Sequence, residues 1–332
     1  MADPFDLLFD EPLRSSAPSF IGRELGTVVV QELLSERPTC DVYAGLDTKL
    51  RRRVALKILK NLSDENMQSS QRFTREGQIM AKLRHPGIVQ LLGLAQIDEY
   101  PCLIMEYIDG GCLEQALQTT RPSIEDAVDV LLRIALAVAS AHQLGIIHRD
   151  LKPSNILLDH SINDPSFTTR MGFIKVADFG ISRLIDNFED LTRTGVQPGT
   201  ILYMAPEQVE ARSSDIGTAS DVFALGALLH QMVVGKSPFA APSFAESVER
   251  IIGEDIPPLS VFRPGVPPWL DQICSKCLQK TPAARYRDAG LLAEDILRYR
   301  QTTSTQVISR NLVLLAIAVA VLVFSLLGRM VR

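Results

Sequence analysis

A basic excess is missing from this 332-residue chain: 34 Lys and Arg face 39 Asp and Glu, for a net charge of −5 and a pI near 5.6. Nucleic-acid-binding domains leave a basic footprint, so nucleic acid is not an expected partner. A disulfide framework is missing too. The five cysteines, Cys40, Cys102, Cys112, Cys274 and Cys277, form no even, regularly spaced set, which suits a reducing compartment. Cys274 and Cys277 make a C-x-x-C, but no second pair or nearby histidine completes a zinc site. A helix with one of the two buried is the expected setting. The front has no positively charged start before an apolar run, so no secretory signal is read there. Internal repeats and low-complexity tracts are also lacking, which excludes a solenoid. What remains is 46% hydrophobic and 22% charged, ordinary for a packed chain. The length suits one two-lobed unit or two small domains.

The two ends differ from the middle. Residues 1–20 carry Asp3, Asp6, Asp10 and Glu11 among Pro4, Pro12 and Pro18 and read as a disordered tail, with Phe5, Leu8 and Phe9 as one candidate docking turn. Residues 312–327 are Leu, Val, Ile, Ala and Phe broken by Ser325, between Arg310 and Arg329. As a helix this run is about 24 Å long, a little short of a hydrocarbon core of roughly 30 Å. Asn311 and Gly328 lengthen it, and the arginines can snorkel. A helix apolar on every face needs protein all round it if it is to be buried instead. The expectation is a polar tether over 301–310, a transmembrane helix over 311–328 in the lipid bilayer and a short tail over 329–332. Arginines on both flanks leave the positive-inside rule silent.

Between the ends, β-branched and apolar residues predict strands over 27–30, 42–46, 53–59, 91–97 and 102–107. Phe73, Glu76, Met80 and Leu83 recur at helical spacing across 72–83. Gly110-Gly111 then breaks the chain. Beyond it Ser123 is placed to cap a helix, with Asp126 in the capping-box position and Val128, Leu131, Leu132, Ala135, Val138 and Ala139 as its apolar stripe. Further helices are expected over 220–234, 269–280 and 289–299.

Four motifs cross these segments: Val54-Ala55-Leu56-Lys57, His148-Arg149-Asp150-Leu151-Lys152-Pro153-Ser154-Asn155, Asp178-Phe179-Gly180 and Ala205-Pro206-Glu207. Their order and intervals resemble the signature set of eukaryotic-like (Hanks-type) Ser/Thr protein kinases, and the run from Gly199 to Gln208 resembles bacterial members most. The resemblance covers about residues 21–300. It implies an α+β, bilobal protein-kinase fold: a small β-sheet N-lobe with one main helix over 21–108 and a larger helical C-lobe over 109–300.

The resemblance also implies roles. Phosphoryl transfer from ATP needs metal and fixed positive charge on the phosphates and a base that orients the incoming hydroxyl. Asp150 matches the base for a substrate Ser or Thr hydroxyl, and Asn155 and Asp178 match the ligands of Mg²⁺, with Mn²⁺ as the alternative. Lys57, paired to Glu76, matches the lysine on the α- and β-phosphates, and Lys152 the one that reaches the γ-phosphate. Adenine would lie between Val42 and Ala55 above and Leu157 below, bonded to the backbone from Glu106 to Ile108, with Met105 at the rear. Thr192 and Thr194 match autophosphorylation sites that Arg149 would hold, and Thr200 matches a residue that touches Asp150. Glu207 and Arg285 match a buried ion pair, and Asp221 the anchor of the catalytic loop. ATP chemistry places such a domain in the cytoplasm, tail-anchored by a single pass, with the bacterial inner membrane as the expected location. The resemblance leaves room for a homodimer in activation.

The pattern breaks at the nucleotide loop. Its three glycine positions fall on Ser35, Arg37 and Cys40. Glycine lets backbone N–H groups approach phosphate closely, and Pro38 removes a further donor. Arg37 offers a guanidinium in place of the lost amides, with Glu36 beside it working against that. Weakened ATP binding with intact transfer chemistry is expected. Two readings follow: an active Ser/Thr kinase, or a membrane-anchored pseudokinase that acts as a binding and scaffold module. A second departure, residues 159–171 with Asn163-Asp164-Pro165, reads as an inserted surface turn between two strands.

Overall fold

Alternating side chains over the first hundred residues build one antiparallel sheet. The computed structural model describes residues 19–37, 40–60, 73, 77–78, 80–159, 173–179 and 201–300. The sheet comprises β1 (Glu24–Leu25), β2 (Val28–Glu36), β3 (Cys40–Asp47), β4 (Arg52–Leu59), β5 (Leu91–Ile97) and β6 (Tyr100–Glu106), in the order β1-β2-β3-β4-β6-β5. Val42 lies opposite Lys57, Ala44 opposite Ala55, and Ala55 opposite Met105. Cross-strand partners share a face and neighbours along a strand do not, so Val42, Ala55, Lys57 and Met105 all point to one side. The other face buries Tyr43, Val54, Leu56 and Ile58 with Phe20, whose ring meets Tyr43 and Tyr100 edge-on.

Strand β2 departs from the expectation. It continues through Glu36 into the segment read as a loop, with register shifts between Val30 and Glu32 and between Leu33 and Ser35. Ser35 pairs with Val42 and Glu36 with Asp41, and Arg37 N–H donates to Cys40 O at 3.0 Å. The expected phosphate loop is therefore the end of a tight hairpin. Residues 73, 77, 78 and 80 are helical, and Phe73 and Met80 pack with Cys40, Leu59, Leu103 and Met105 under the sheet. A Cβ on Gly77 would come within 2.6 Å of Leu94, so glycine is what lets this helix approach β5.

The rest is helical: α1 (Leu113–Thr119), α2 (Ile124–His142), α3 (Pro206–Val209), α4 (Thr218–Val234), α5 (Phe244–Gly253), α6 (Leu259–Phe262), α7 (Pro268–Cys277) and α8 over 289–300. Ser123 caps α2, its Oγ accepting from Asp126 N–H at 3.0 Å, and the α2 stripe packs against α4 in one large core. Cys274 and Cys277 both sit on α7 and both are buried, where one was expected; burial pushes both thiols up from their ordinary values, which makes them inert. A two-stranded ribbon, β7 (Ile156–Asp159) and β8 (Phe173–Val176), joins the halves: Val89 N–H donates to Val176 O at 2.9 Å and Val176 N–H to Gly87 O at 2.8 Å. Most of the expected inserted turn, residues 160–171, lies outside the described residues. Among the described residues no helix is long and apolar enough to cross a membrane; the tail over 1–18 and the expected tether and span over 301–328 lie outside them.

Candidate active site

Asp221, in the first turn of α4 and almost wholly buried, organises the loop ahead of Asp150. Its carboxylate accepts from the backbone N–H groups of His148 and Arg149, each at 2.8 Å, and lies 2.8 Å from His142 Nε2. Ala289 N–H donates to His142 Nδ1 at 3.2 Å, so the ring proton sits on Nε2 and goes to Asp221. These bonds hold Arg149 at φ 69°, a left-handed conformation that costs a non-glycine residue about 1–3 kcal/mol. Gln208 grips the same peptide from the other side. Its Nε2 donates to Arg149 O at 2.7 Å, and its Oε1 accepts from Ala205 N–H at 3.1 Å.

His148 carries this order to the next segment. Asp150 N–H donates to His148 Nδ1 at 3.2 Å, which leaves Nε2 to donate to Ala177 O at 2.8 Å; the ring packs 4.6 Å from that of Phe179. Ala177 N–H donates to Asn155 O at 2.8 Å. Asp178, the next residue, also has a left-handed backbone, φ 65°. Its Oδ1 lies 2.9 Å from Lys57 Nζ on β4. Asn155 Nδ2 donates to Asp150 O at 2.7 Å and to Asp150 Oδ2 at 3.1 Å, and Lys152 Nζ lies 3.0 Å from the same Oδ2. Residues from distant parts of the chain thus meet in two bonded groups, Lys57–Asp178 and Asn155–Asp150–Lys152, joined through the Ala177 backbone N–H.

The charges of Lys57 and Asp178 stabilise each other. Burial works against the Lys57 ammonium, but the adjacent Asp178 carboxylate outweighs it and holds the lysine above its ordinary value. Burial likewise disfavours the Asp178 carboxylate, yet the Lys57 charge and hydrogen bond, with smaller contributions from Arg37 and His148, hold it below the usual range. Glu76, the partner expected for Lys57, lies outside the described residues, as do Thr192, Thr194 and Thr200.

The remaining predicted positions fall around these groups. Val42, Ala55 and Met105 make an apolar stretch of the sheet's inner face beside Lys57, with Val42 and Ala55 half-buried and Met105 buried; Leu157, on β7, is half-buried. Glu106, at the end of β6, accepts from Gln90 N–H at 2.7 Å and from Lys175 Nζ at 2.8 and 2.9 Å; Ile108 follows two residues later, half-buried. Below, Glu207 and Arg285 form a fully buried pair with contacts of 2.7 and 2.8 Å. Sequence reasoning missed Lys175, Gln208 and His142. Lys175 carried a signal: an ammonium in an apolar strand needs a partner. The other two carried none.

The donor set fits a magnesium nucleotide. Mg²⁺ is held by one or two carboxylates or carbonyl oxygens together with phosphate and water, and Asp178 Oδ2 and Asn155 Oδ1 are the oxygens not used in the bonds above. Among the described residues no group of three or more His, Cys, Asp or Glu side chains forms a metal cage.

The family described as the protein kinase domain matches residues 34–298. The chain is 34% identical over 269 residues to the serine/threonine-protein kinase PknL of Mycobacterium tuberculosis, covering 81% of this chain and 64% of that protein. It is 35% identical over 281 residues to PknA of the same organism, covering 83% of this chain and 62% of the relative. The match thus spans just under two thirds of each relative's length. In fold it is similar to the crystal structure of the M. tuberculosis PknI kinase domain, with a TM-score of 0.63 at 24% identity, covering 85% of this chain and 99% of that one.

Proposed function

We propose a function from one premise: the chain belongs to the protein kinase domain family. On this reading it is a Ser/Thr protein kinase that transfers the γ-phosphate of MgATP to protein hydroxyls. One observation carries the proposal. Lys57 and Asp178 on the nucleotide side are paired, Asp150, Lys152 and Asn155 on the hydroxyl side are bonded together, and the Ala177 N–H bond to Asn155 O joins the two groups. Magnesium, when bound, would neutralise phosphate charge from Asp178 and Asn155. Lys57 would orient the phosphates, held in place by its bond to Asp178. Asp150, fixed by Asn155 and Lys152, would accept the hydrogen bond of the incoming hydroxyl and align it for in-line attack. Lys152, 3.0 Å from Asp150, would balance the charge that develops on the transferred group.

The test is phosphate transfer by the full chain with MgATP to a mixed protein substrate and to itself. Transfer that Asp150→Asn reduces by about 10²–10⁴-fold supports the reading. A folded chain that binds ATP but transfers nothing moves the conclusion to the pseudokinase, which the glycine-free hairpin favours. The same reading places autophosphorylation on Thr192 or Thr194, the catalytic part in the cytoplasm and a single-pass anchor over 311–328, with homodimerisation as a means of activation. Phosphate mapping and membrane flotation of the full chain test these points.

A further inference from the structure

The hairpin that replaces the glycine loop places its charges by strand alternation. Ser35 pairs with Val42, and Val42 with Lys57, so these three share the inner face of the sheet. One residue further, Glu36 pairs with Asp41 and Asp41 with Ile58, on the outer face. Lys60 lies on that outer side as well: its Nζ is 2.7 Å from Asp41 Oδ1 and 3.8 Å from Glu36 Oε1. The acidic neighbour that opposes Arg37 in the sequence is thus turned to the other face of the sheet, beside Lys60.

Arg37 comes next, at the last pairing before residues 38 and 39. Its N–H donates to Cys40 O at 3.0 Å, which keeps the alternation going and returns Arg37 to the inner face. Cys40 confirms the side, packing with Leu59, Leu103 and Met105 in the cluster under the sheet. Arg37 is half-buried, and its ion pairs with described carboxylates are none at contact distance, while its charge acts on both Lys57 and Asp178. A positive group therefore sits at the inner tip of the hairpin, facing the pair that would bracket the nucleotide phosphates.

We propose that the Arg37 guanidinium binds the triphosphate of ATP, replacing with one charged side chain the backbone N–H contacts that the absent glycines would have supplied. A guanidinium offers up to five donors in a planar fork suited to phosphate oxygens. It reaches from a backbone held further back, which is what Ser35 and Cys40 in place of glycine require. The inference deepens the ATP-binding reading above and rests on it.

The experiment is equilibrium binding, which needs no turnover: dissociation constants of MgATP and adenosine for the full chain, unaltered and with Arg37→Ala, Arg37→Lys and Glu36→Gln. Arg37→Ala should weaken MgATP about tenfold or more while leaving adenosine within twofold. Arg37→Lys should fall between, having the charge without the fork, and Glu36→Gln should change neither. The idea is overturned if Arg37→Ala leaves the ATP-to-adenosine ratio where it was, if Glu36→Gln shifts that ratio as much as Arg37→Ala, or if the unaltered chain binds ATP no better than adenosine. Phosphate transfer is assayed separately. A chain that binds ATP through Arg37 and transfers nothing sinks the catalytic reading and supports this one.

Discussion

The Lys57 ammonium and the Asp178 carboxylate, contributed by β4 and by the segment after β8, stand 2.9 Å apart with little exposure to water. Each makes the other's charge affordable in a site that would otherwise neutralise it. Removing Lys57 alone, as Lys57→Met, leaves a buried carboxylate without its cation. Phosphate transfer should fall on the order of 10²-fold or more. In thermal unfolding, the double variant Lys57→Met/Asp178→Asn should be less destabilised than the sum of the two single changes. Strict additivity would show that the pair is not coupled.

The Glu207–Arg285 pair should set part of the acid stability. Burial alone would raise the Glu207 carboxyl, but bonds from Arg285 and Ser220 hold it below its ordinary value. A depressed carboxylate contributes stability that is fully present above its unfolded pKa, about 4.3, and is lost as pH falls through the lower folded value. Urea midpoints of the unaltered protein should therefore drop as pH is lowered below about 4.3, and Glu207→Gln should show a flatter profile. At neutral pH Arg285→Met should cost about 3–5 kcal/mol by stranding the carboxylate.

Gln208 should act on the catalytic loop through Arg149. The nearly isosteric Gln208→Met removes both amide bonds and releases the left-handed peptide before Asp150. Backbone hydrogen exchange across 148–151 should quicken. Turnover should fall by about ten- to a hundredfold with ATP affinity unchanged, as expected when a reacting group is displaced by a fraction of an ångström. Equal exchange in both proteins would show that other contacts hold the loop.

Gly226 should resist a change that helix propensity favours. Alanine in mid-helix gains about 0.8–1 kcal/mol over glycine, yet a Cβ at 226 would lie 2.6 Å from Cys277 Cβ and 3.0 Å from Leu278. Gly226→Ala should push α4 and α7 apart and lose about 1–3 kcal/mol net, read as a lower thermal midpoint. A raised midpoint would mean the two helices have room to yield.

Most of the frame was legible along the chain. The strand over 91–97, the Ser123 cap and the helices expected over 220–234, 269–280 and 289–299 appear within a few residues of where periodicity and capping placed them, because each depends on close neighbours. The helices Leu113–Thr119, Pro206–Val209, Phe244–Gly253 and Leu259–Phe262 were not expected. The four motifs named the residues of the site for the same reason, since identity and spacing are local. Strand β2 was cut short in the reading, because the register shifts that carry it to Glu36 come from pairing with β3 rather than from its own pattern. The partners of Lys175, Gln208 and His142 stand 69, 59 and 147 residues away; no local pattern names them.

By itself, then, the order of residues determined which chemistry the chain carries and which segments become strand or helix, through backbone hydrogen bonding and side-chain alternation at short range. Only tertiary packing decided which charges face one another. It paired Lys57 with Asp178, because a buried charge is held where a partner of opposite sign arrives from another part of the chain, and it set Glu36 and Arg37 on opposite faces through the pairing of β2 with β3.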